Sequence, residues 1–264
     1  MGTDNMSEVE ISNNKKFAGL KVINRDMLKY MAMFMMGVGH MIIYLGVKHF
    51  AGILPGWVMK FFVYGEFFAP PVFFFFISEG FRYTRSRKKY AIRLLVISLI
   101  TQIPFFFCHY PDEPLWKILT SWNVMASLLA ALLVLMVWDS KWKLYLRIIV
   151  MVVITGLTVL IQAEWMAFGP IMAFIFYLLR EKPVLRFVIF EAVMLVWQFI
   201  MNGFYISFTL GAWGYFLAVS AAIIVITFFY NGKKGHFPTF SKWVFYVFYP
   251  AHLLAVILIR AFCF

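Results

Sequence analysis

The chain has 264 residues, of which 63% are hydrophobic and 14% charged, with a formal net charge of +12 and a mean hydropathy of +0.84. Soluble domains average about 45–50% apolar and about 25% charged residues, so a water-soluble fold of this length is excluded. The basic excess fits the Lys- and Arg-rich cytoplasmic loops of a membrane protein, and no nucleic-acid partner is expected.

Residues 1–24 are polar and charged and are expected to form a flexible cytoplasmic tail. They contain no apolar region or small-residue cleavage site of a secretory signal, so the first span is expected to direct insertion. Residues 25–264 form a single membrane domain, an all-α polytopic bundle. Its apolar runs approach the roughly 20 residues that cross about 30 Å of hydrocarbon. In chain order they predict nine spans: 27–47, 61–81, 90–108, 123–138, 144–161, 166–179, 184–201, 208–230 and 243–262.

Charge follows the same alternation. With the amino terminus inside, inner segments carry clusters such as Lys15, Lys16, Lys21 and Arg25, then Arg82, Arg85, Arg87, Lys88, Lys89 and Arg93, then Lys141, Lys143 and Arg147. Arg180, Lys182 and Arg186, and finally Lys233, Lys234 and Lys242, continue the series. Outer segments carry only Lys48, Lys60, Lys117 and Arg260. This positive-inside bias puts the carboxyl terminus outside.

Ionisable groups within spans are costly and therefore mark candidate sites. His40 lies eleven residues after Lys29, a rise of about 16 Å and a turn that returns to within about 20° of the same direction. Lys29 then sits at the inner interface and His40 near the midplane of one helix face, where an imidazole can take or give a proton. His252 reaches a similar depth beyond Lys242, in Tyr249-Pro250-Ala251-His252. It reads equally as a chemical group or as a partner for polar groups near the proline. Arg82 and Arg85, three apart, would share a helical face suited to phosphate oxygens, with Lys88 and Lys89 next and Glu79 one turn before. The cluster also serves as a topology signal or a contact for anionic membrane lipids. Gln102, Asn123, Glu66, Glu191 and Gln198 read mainly as interhelical hydrogen-bonding groups, and the aromatic run Phe73 to Phe76 as packing. Cys108 and Cys263 have no metal-ligand spacing, and no metal is expected.

Several motifs resemble the TraX family of bacterial membrane proteins (F-pilin acetylase-like). They are Ser78-Glu79-Gly80-Phe81-Arg82-Tyr83-Thr84-Arg85 with Lys89-Tyr90, Gln102-Ile103-Pro104-Phe105, Asn123-Val124, Glu164-Trp165 with Gly169, Tyr230-Asn231-Gly232-Lys233-Lys234-Gly235, and Phe245 through His252. The resemblance covers nearly all the chain beyond the tail. The family in turn looks like a branch of the transmembrane acyltransferases, which carry a basic residue about ten positions from a membrane histidine and an Arg-x-x-Arg. The resemblance implies an acetyltransferase of the bacterial cytoplasmic membrane with acetyl-CoA as acyl donor. His40 would be its general base or acyl carrier, and Asn123 or Gln102 would donate hydrogen bonds to the thioester oxygen. His252 would orient the acceptor or shuttle a proton, and Arg82, Arg85, Lys29, Lys88 and Lys89, with Glu79 orienting Arg82, would hold the coenzyme phosphates. The acceptor would be an amine or hydroxyl, on a peptide or pilin amino terminus or a glycan. Oligomerisation is left open. The chain departs from the family pattern at Gly39, where an Asp is usual, and at Glu66-Phe67, where Gly-Arg is usual. Glu66 is a candidate replacement for the missing acid. Competing readings are a transporter or flippase, whose midplane polar groups look similar, and a non-catalytic assembly partner.

Overall fold

The computed structural model describes residues 18–206 and 209–263. Eleven α-helices account for most of them: α1 (Arg25–Leu45), α2 (Val47–Phe50), α3 (Gly56–Gly65), α4 (Ala69–Tyr83), α5 (Arg87–His109), α6 (Val124–Trp138), α7 (Leu144–Leu160), α8 (Phe168–Leu178), α9 (Pro183–Ile206), α10 (Leu210–Ile224) and α11 (Pro238–Cys263). Among the described residues the only strand-like pairing is an isolated parallel bridge between Ile23 and Tyr230. Residues 1–17, which include Lys15 and Lys16, and residue 208, the start of the eighth predicted span, lie outside the described residues.

Among the described residues, seven helical stretches are long and apolar enough to cross a bilayer: Arg25–Leu45, Gly56–Tyr83, Arg87–His109, Leu115–Trp138, Pro183–Ile200, Gly211–Phe229 and Trp243–Cys263. They correspond to predicted spans one to four and seven to nine. The fifth and sixth predicted spans correspond to shorter apolar helices, α7 and α8. The 11 residues of α8 rise only about 16 Å, because residues ahead of it that the hydropathy pattern assigns to the span are turns and loop instead.

Local chemistry explains the breaks. The second predicted span is two helices, α3 and α4, joined by a 3-10 turn at Glu66–Phe68. Pro70 and Pro71 in the first turn of α4 donate no backbone hydrogen bond and tolerate only this position, so α3 cannot run straight into α4. Asn24 caps α1 by accepting from the amides of Asp26 and Met27 at 3.0 and 2.9 Å. Of the residues expected in a flexible tail, Ile23 is held in place. Ile23 N donates to Phe229 O, Asn231 N to Ile23 O and Arg25 N to Lys233 O, fastening the segment before α1 to the chain after α10.

Five helices close into a ring, with contacts running α1 to α4, α4 to α6, α6 to α5, α5 to α11 and α11 back to α1. α8 packs against α4 and α6 on the outside, α7 lies along α6, and α9 and α10 pair beside α8 and α4. Helix α6 is the most enclosed, with Met125, Leu128, Ala131, Leu132 and Leu135 fully buried. Helix α7 is the opposite. Thr158 is its one buried residue, and Ile148, Val152 and Leu160 point outward, as on a lipid-facing surface.

Polar ties mark two ends of the bundle. At one end Arg87 pairs with Asp139 at 2.5 Å, Arg82 with Glu181 at 3.9 Å, and Arg25 with the Lys233 carbonyl. Each tie joins two segments that the charge pattern assigns to the same side. At the other end, the Arg260 guanidinium donates to the carbonyls of Tyr44 (2.9 Å), Cys108 (3.1 Å) and Phe107 (3.5 Å). It gathers the carboxyl ends of α1 and α5, whose last carbonyls lack helical donors. Arg260→Ala should lower stability by about 1–3 kcal/mol through those orphaned carbonyls. Thermal unfolding of the detergent-purified protein checks this, and Arg260→Lys should recover only part of the loss because an ammonium lacks the planar fork.

Candidate functional site

His40 on α1 and His252 on α11 meet inside the ring, with His40 Nδ1 2.9 Å from His252 Nε2. His252 Nδ1 lies 2.9 Å from the Phe248 carbonyl, which can only accept. His252 Nδ1 therefore carries the hydrogen, its Nε2 accepts, and His40 Nδ1–H donates to it. In the neutral pair this leaves a lone pair on His40 Nε2. That atom faces the Glu66 carboxylate at 3.7 Å. His252 does not turn to the carbonyl that Pro250 frees. The Phe248 carbonyl orients it, and the Phe248 ring stacks on it at 4.9 Å.

Glu66 comes from the 3-10 turn between α3 and α4. Its Oε2 is buried and accepts no hydrogen bond among the described residues. Gly39 makes room for it: a Cβ there would stand 2.7 Å from Glu66 Cβ and 2.7 Å from the Phe62 carbonyl oxygen. The acid missing at position 39 thus has a counterpart at 66, in space that a side chain at 39 would need.

A second carboxylate enters from the loop between α7 and α8. Glu164 Oε2 accepts from Tyr249 Oη at 2.7 Å and from the Val124 amide at 2.8 Å, at the start of α6. Its main chain is held by the Trp122 carbonyl and by Ser127 Oγ. Burial pushes the Glu164 carboxyl above the ordinary range, and the bonds from Tyr249 and Val124 pull the other way. Gln162, Trp165 and Met166 around it have φ of +44°, +66° and +34°, values rare outside glycine. Glu164 Oε1 faces His109 Nε2 at 3.9 Å. His109 Nδ1 donates to the Phe105 carbonyl at 3.1 Å, its ring lies 4.3 Å from that of Tyr44 and 5.9 Å from that of His40.

These groups surround a chamber of about 160 Å³ lined by His40, Glu66, Glu164, Tyr44 and Tyr249, and by Met36, Phe67, Pro70, Phe73, Val124 and Trp165. Phe73 also lines a larger vestibule of about 690 Å³ toward the Arg87–Asp139 end. Arg25, Lys29, Arg93 and Lys234 supply its cations, Glu79 its acid, and Phe76, Tyr83, Tyr90, Tyr230, Phe245 and Tyr246 its aromatic walls. The Lys29 ammonium sits over the rings of Phe76 and Phe245 at 5.1 and 5.6 Å. The Nε atoms of Arg25 and Arg93 are buried without a hydrogen-bond acceptor among the described residues.

The structure sorts the residues singled out from sequence. His40 and Lys29 do share one face of α1, and His252 joins His40. Asn123 and Gln102 lie elsewhere and are committed. Asn123 Nδ2 donates to Ser98 O (2.9 Å) and Gln102 Oε1 (2.7 Å), while its Oδ1 caps α6. Gln102 Nε2 donates to Ile118 O (2.9 Å) and Ser121 O (2.6 Å). Each amide has two hydrogens, and all four are used, so neither has a donor left for a thioester oxygen. Arg82 and Arg85 do not share a helical face, because α4 ends at Tyr83 and Thr84 is extended. Arg82 pairs with Glu181, Arg85 lies in an exposed bend, Lys88 and Lys89 are exposed, and none of the four lines the vestibule. Glu79 and Lys29 do line it. Sequence reading missed His109, Tyr44 and Tyr249 and the vestibule role of Arg25, Arg93 and Lys234. Their signals were weak: a polar residue just past the third span, members of general charge clusters, and, for Tyr249 and Lys234, a place in the family-like motifs.

A family model described as "TraX protein" matches residues 24–260. A protein of Dichelobacter nodosus described as "Probable fimbrial assembly protein FimC, serogroup H1" is 26% identical over 194 residues, covering 69% of this chain and 76% of that protein. No solved structure matches. Because the family model spans almost the whole chain, from the cap of α1 to the last turns of α11, the protein belongs to the TraX family.

Proposed function

We propose that the protein is an acetyltransferase of the bacterial cytoplasmic membrane, using acetyl-CoA to acetylate an amine or hydroxyl at His40. In this reading the chain crosses the bilayer nine times, with the amino terminus inside and the carboxyl terminus outside. The observation that carries the proposal is the hydrogen-bonded His40–His252 pair. It leaves a basic Nε2 at a chamber that shares Phe73 with a cationic vestibule.

The vestibule suits the donor. Arg25, Lys29, Arg93 and Lys234 offer charge-assisted hydrogen bonds to phosphate oxygens; Arg93 Nε has no hydrogen-bond acceptor among the described residues, and Arg25 Nε faces Asp26 Oδ1 at 3.6 Å. Aromatic walls suit the stacking of a nucleobase. The pantetheine arm would follow α1 inward from Lys29 to His40, about 16 Å by helical rise. Arg82, Arg85, Lys88 and Lys89 would add positive potential outside the vestibule rather than hold the phosphates.

At the chamber the acceptor nitrogen or oxygen attacks the thioester carbonyl. Its proton passes to His40 Nε2, the new C–N or C–O bond forms, the C–S bond breaks, and the thiolate takes the proton from the imidazolium. His252 fixes the tautomer that presents Nε2, and the Glu66 carboxylate offsets the charge that develops on the ring. The description of the Dichelobacter nodosus relative as a fimbrial assembly protein favours a pilin or fimbrial subunit as acceptor. Transport or a non-catalytic role in assembly remains the competing reading, and activity decides between them.

With purified protein and radiolabelled acetyl-CoA, label should reach an acceptor peptide or the enzyme, and His40→Ala should reduce transfer by about 10²–10⁴-fold, the range of a general base. Coenzyme binding without transfer that depends on His40 would remove the enzymatic reading. Arg93→Ala and Lys234→Ala should each weaken coenzyme affinity about 10–100-fold, as loss of a charge-assisted contact would, with smaller changes for Arg82→Ala and Arg85→Ala. Calorimetric titration measures this directly. Gly39→Ala should displace Glu66 and cut kcat more than it changes the coenzyme Kd, since the clash lies in the chamber and not the vestibule.

A further inference from the structure

Acetylation of an amine involves more protons than one base can carry. An α-amino group titrates at about 7.7–8.0, so at neutral pH most of it is ammonium. The ammonium has no lone pair and must lose one proton before it can attack. It loses a second as the amide forms. His40 Nε2 takes that second proton and returns it to the leaving thiolate. The first needs another base at the same chamber, whereas a hydroxyl acceptor needs none.

Glu164 lines the chamber, and both of its carboxylate hydrogen bonds, from Tyr249 Oη and the Val124 amide, fall on Oε2. Oε1 is left facing His109 Nε2 at 3.9 Å, and the Glu164 side chain keeps 26% of its surface open. His109 Nδ1 donates to the Phe105 carbonyl, so in the neutral ring Nε2 carries a lone pair. That atom is buried with no hydrogen-bond partner among the described residues. With the carboxylate ionised and the imidazole neutral, Oε1 and Nε2 are therefore two acceptors face to face. They stand beyond hydrogen-bond length, and a proton placed between them would be bound by both and draw them together. Around His109 also stand Tyr44 and His40 on α1, His252 and Arg260 on α11, and Tyr110 next in the chain. Glu164 is the carboxylate that faces it. The chamber's other carboxylate, Glu66, faces His40 Nε2, so a proton it took would sit against the base that must act next.

We propose that Glu164, backed by His109, is a second base that deprotonates an ammonium acceptor before His40 acts. This rests on the acetyltransferase reading. An acceptor N–H proton passes to Glu164 Oε1 and is shared with His109 Nε2. The free amine then attacks the thioester carbonyl, its next proton goes to His40 Nε2, the C–N bond forms and the C–S bond breaks. The thiolate takes the proton from His40, and Glu164 releases the first proton to water. Ammonium, thioester and water thus give amide, thiol and hydronium, with no other reactant.

The test uses the intact protein, radiolabelled acetyl-CoA and two pilin amino-terminal peptides, one with its free amine and one capped with an aminooxyacetyl group. The aminooxy nitrogen is already neutral at about pH 6, where only about 1–2% of an α-amine is. Glu164→Gln keeps an oxygen for Tyr249 and Val124 but removes the base, and His109→Gln removes the imidazole. Each should lower kcat/KM for the amine peptide about 10–50-fold at about pH 6 and leave the aminooxy peptide nearly unchanged, the upper bound being set by the neutral fraction. The loss should disappear at about pH 9, where the amine arrives neutral. His40→Ala should slow both peptides alike. The ratio between peptides within one variant does not depend on how much of the protein folds. Equal losses on both peptides, a loss that persists at high pH, or unchanged amine transfer in His109→Gln would overturn the proposal while leaving the acetyltransferase reading intact. An unmodified chain that acetylates neither peptide would overturn that reading and the second base with it.

Discussion

The hydrogen bond from His40 to His252 is the constraint from which the rest of the architecture follows. The two rings are separated by 212 positions, on the first and last membrane helices, so the bond exists only if α11 closes against α1. A lone imidazole in hydrocarbon would cost several kcal/mol. Paired, with one carbonyl as the terminal acceptor, His252 is satisfied while neutral, His40 keeps only its Nε2 lone pair unbonded, and both tautomers are set. That carbonyl belongs to Phe248, within the same helix as His252 and beneath its ring. The chemistry available at His40 Nε2 is thus decided by backbone geometry on a different helix. Gly37 and Gly39 on α1 are part of the same arrangement. A Cβ at Gly37 would approach the Phe248 ring at 3.0 Å, and one at Gly39 would meet Glu66.

Two interruptions of regular helix complete the site, and each brings one carboxylate. The turn at Glu66–Phe68 presents Glu66, and the loop after α7 presents Glu164. Irregular backbone inside an apolar helical bundle is tolerated where it is buried in protein or lines a cavity, and both breaks line the chamber. The second is the more costly. Three non-glycine residues with positive φ cost about 1–3 kcal/mol each if nothing offsets them. The offset is visible in the bonds to Glu164: Tyr249 and the Val124 amide on its carboxylate, Ser127 and Trp122 on its main chain. Its carboxylate also stands at the amino end of α6, where the helix dipole favours negative charge.

What the sequence revealed divides cleanly by range. Features confined to one helix were legible, because helical rise and periodicity alone place them. The apolar runs and the alignment of His40 with Lys29 along α1 are of this kind. Features made by two helices were not. Asn123 and Gln102 looked as promising as any polar residue in an apolar run, and only the structure shows that their four amide hydrogens are already donated to Ser98, Gln102, Ile118 and Ser121. Arg82 and Arg85 failed for a local reason. Their alignment assumed a helix that continues to residue 85, whereas Thr84 turns extended with ψ of +135°. Arg93, six residues into the next helix, reaches the vestibule instead. Glu164 was visible only as part of a family motif, and no periodicity could have aimed its side chain between α6 and α11.

The two cavities have opposite electrostatic character, and that contrast orders whatever enters. Arg25, Lys29, Arg93 and Lys234 crowd the vestibule, whereas the chamber beyond Phe73 contains Glu66, Glu164 and no Lys or Arg among its lining residues. In a low-dielectric interior such charges are weakly screened. In the acetyltransferase reading, an anionic head would be drawn to the cations and disfavoured among the carboxylates, and the uncharged arm would extend toward the chamber. A ligand with phosphates at one end and a neutral reactive group at the other would thereby favour one orientation, with its reactive end toward His40. Reversal would place phosphate among carboxylates, at a cost that grows as water is excluded. In that reading the same carboxylates would stabilise the imidazolium that forms when His40 takes the acceptor's proton, so the chamber's charge assists the base rather than the binding of the phosphates.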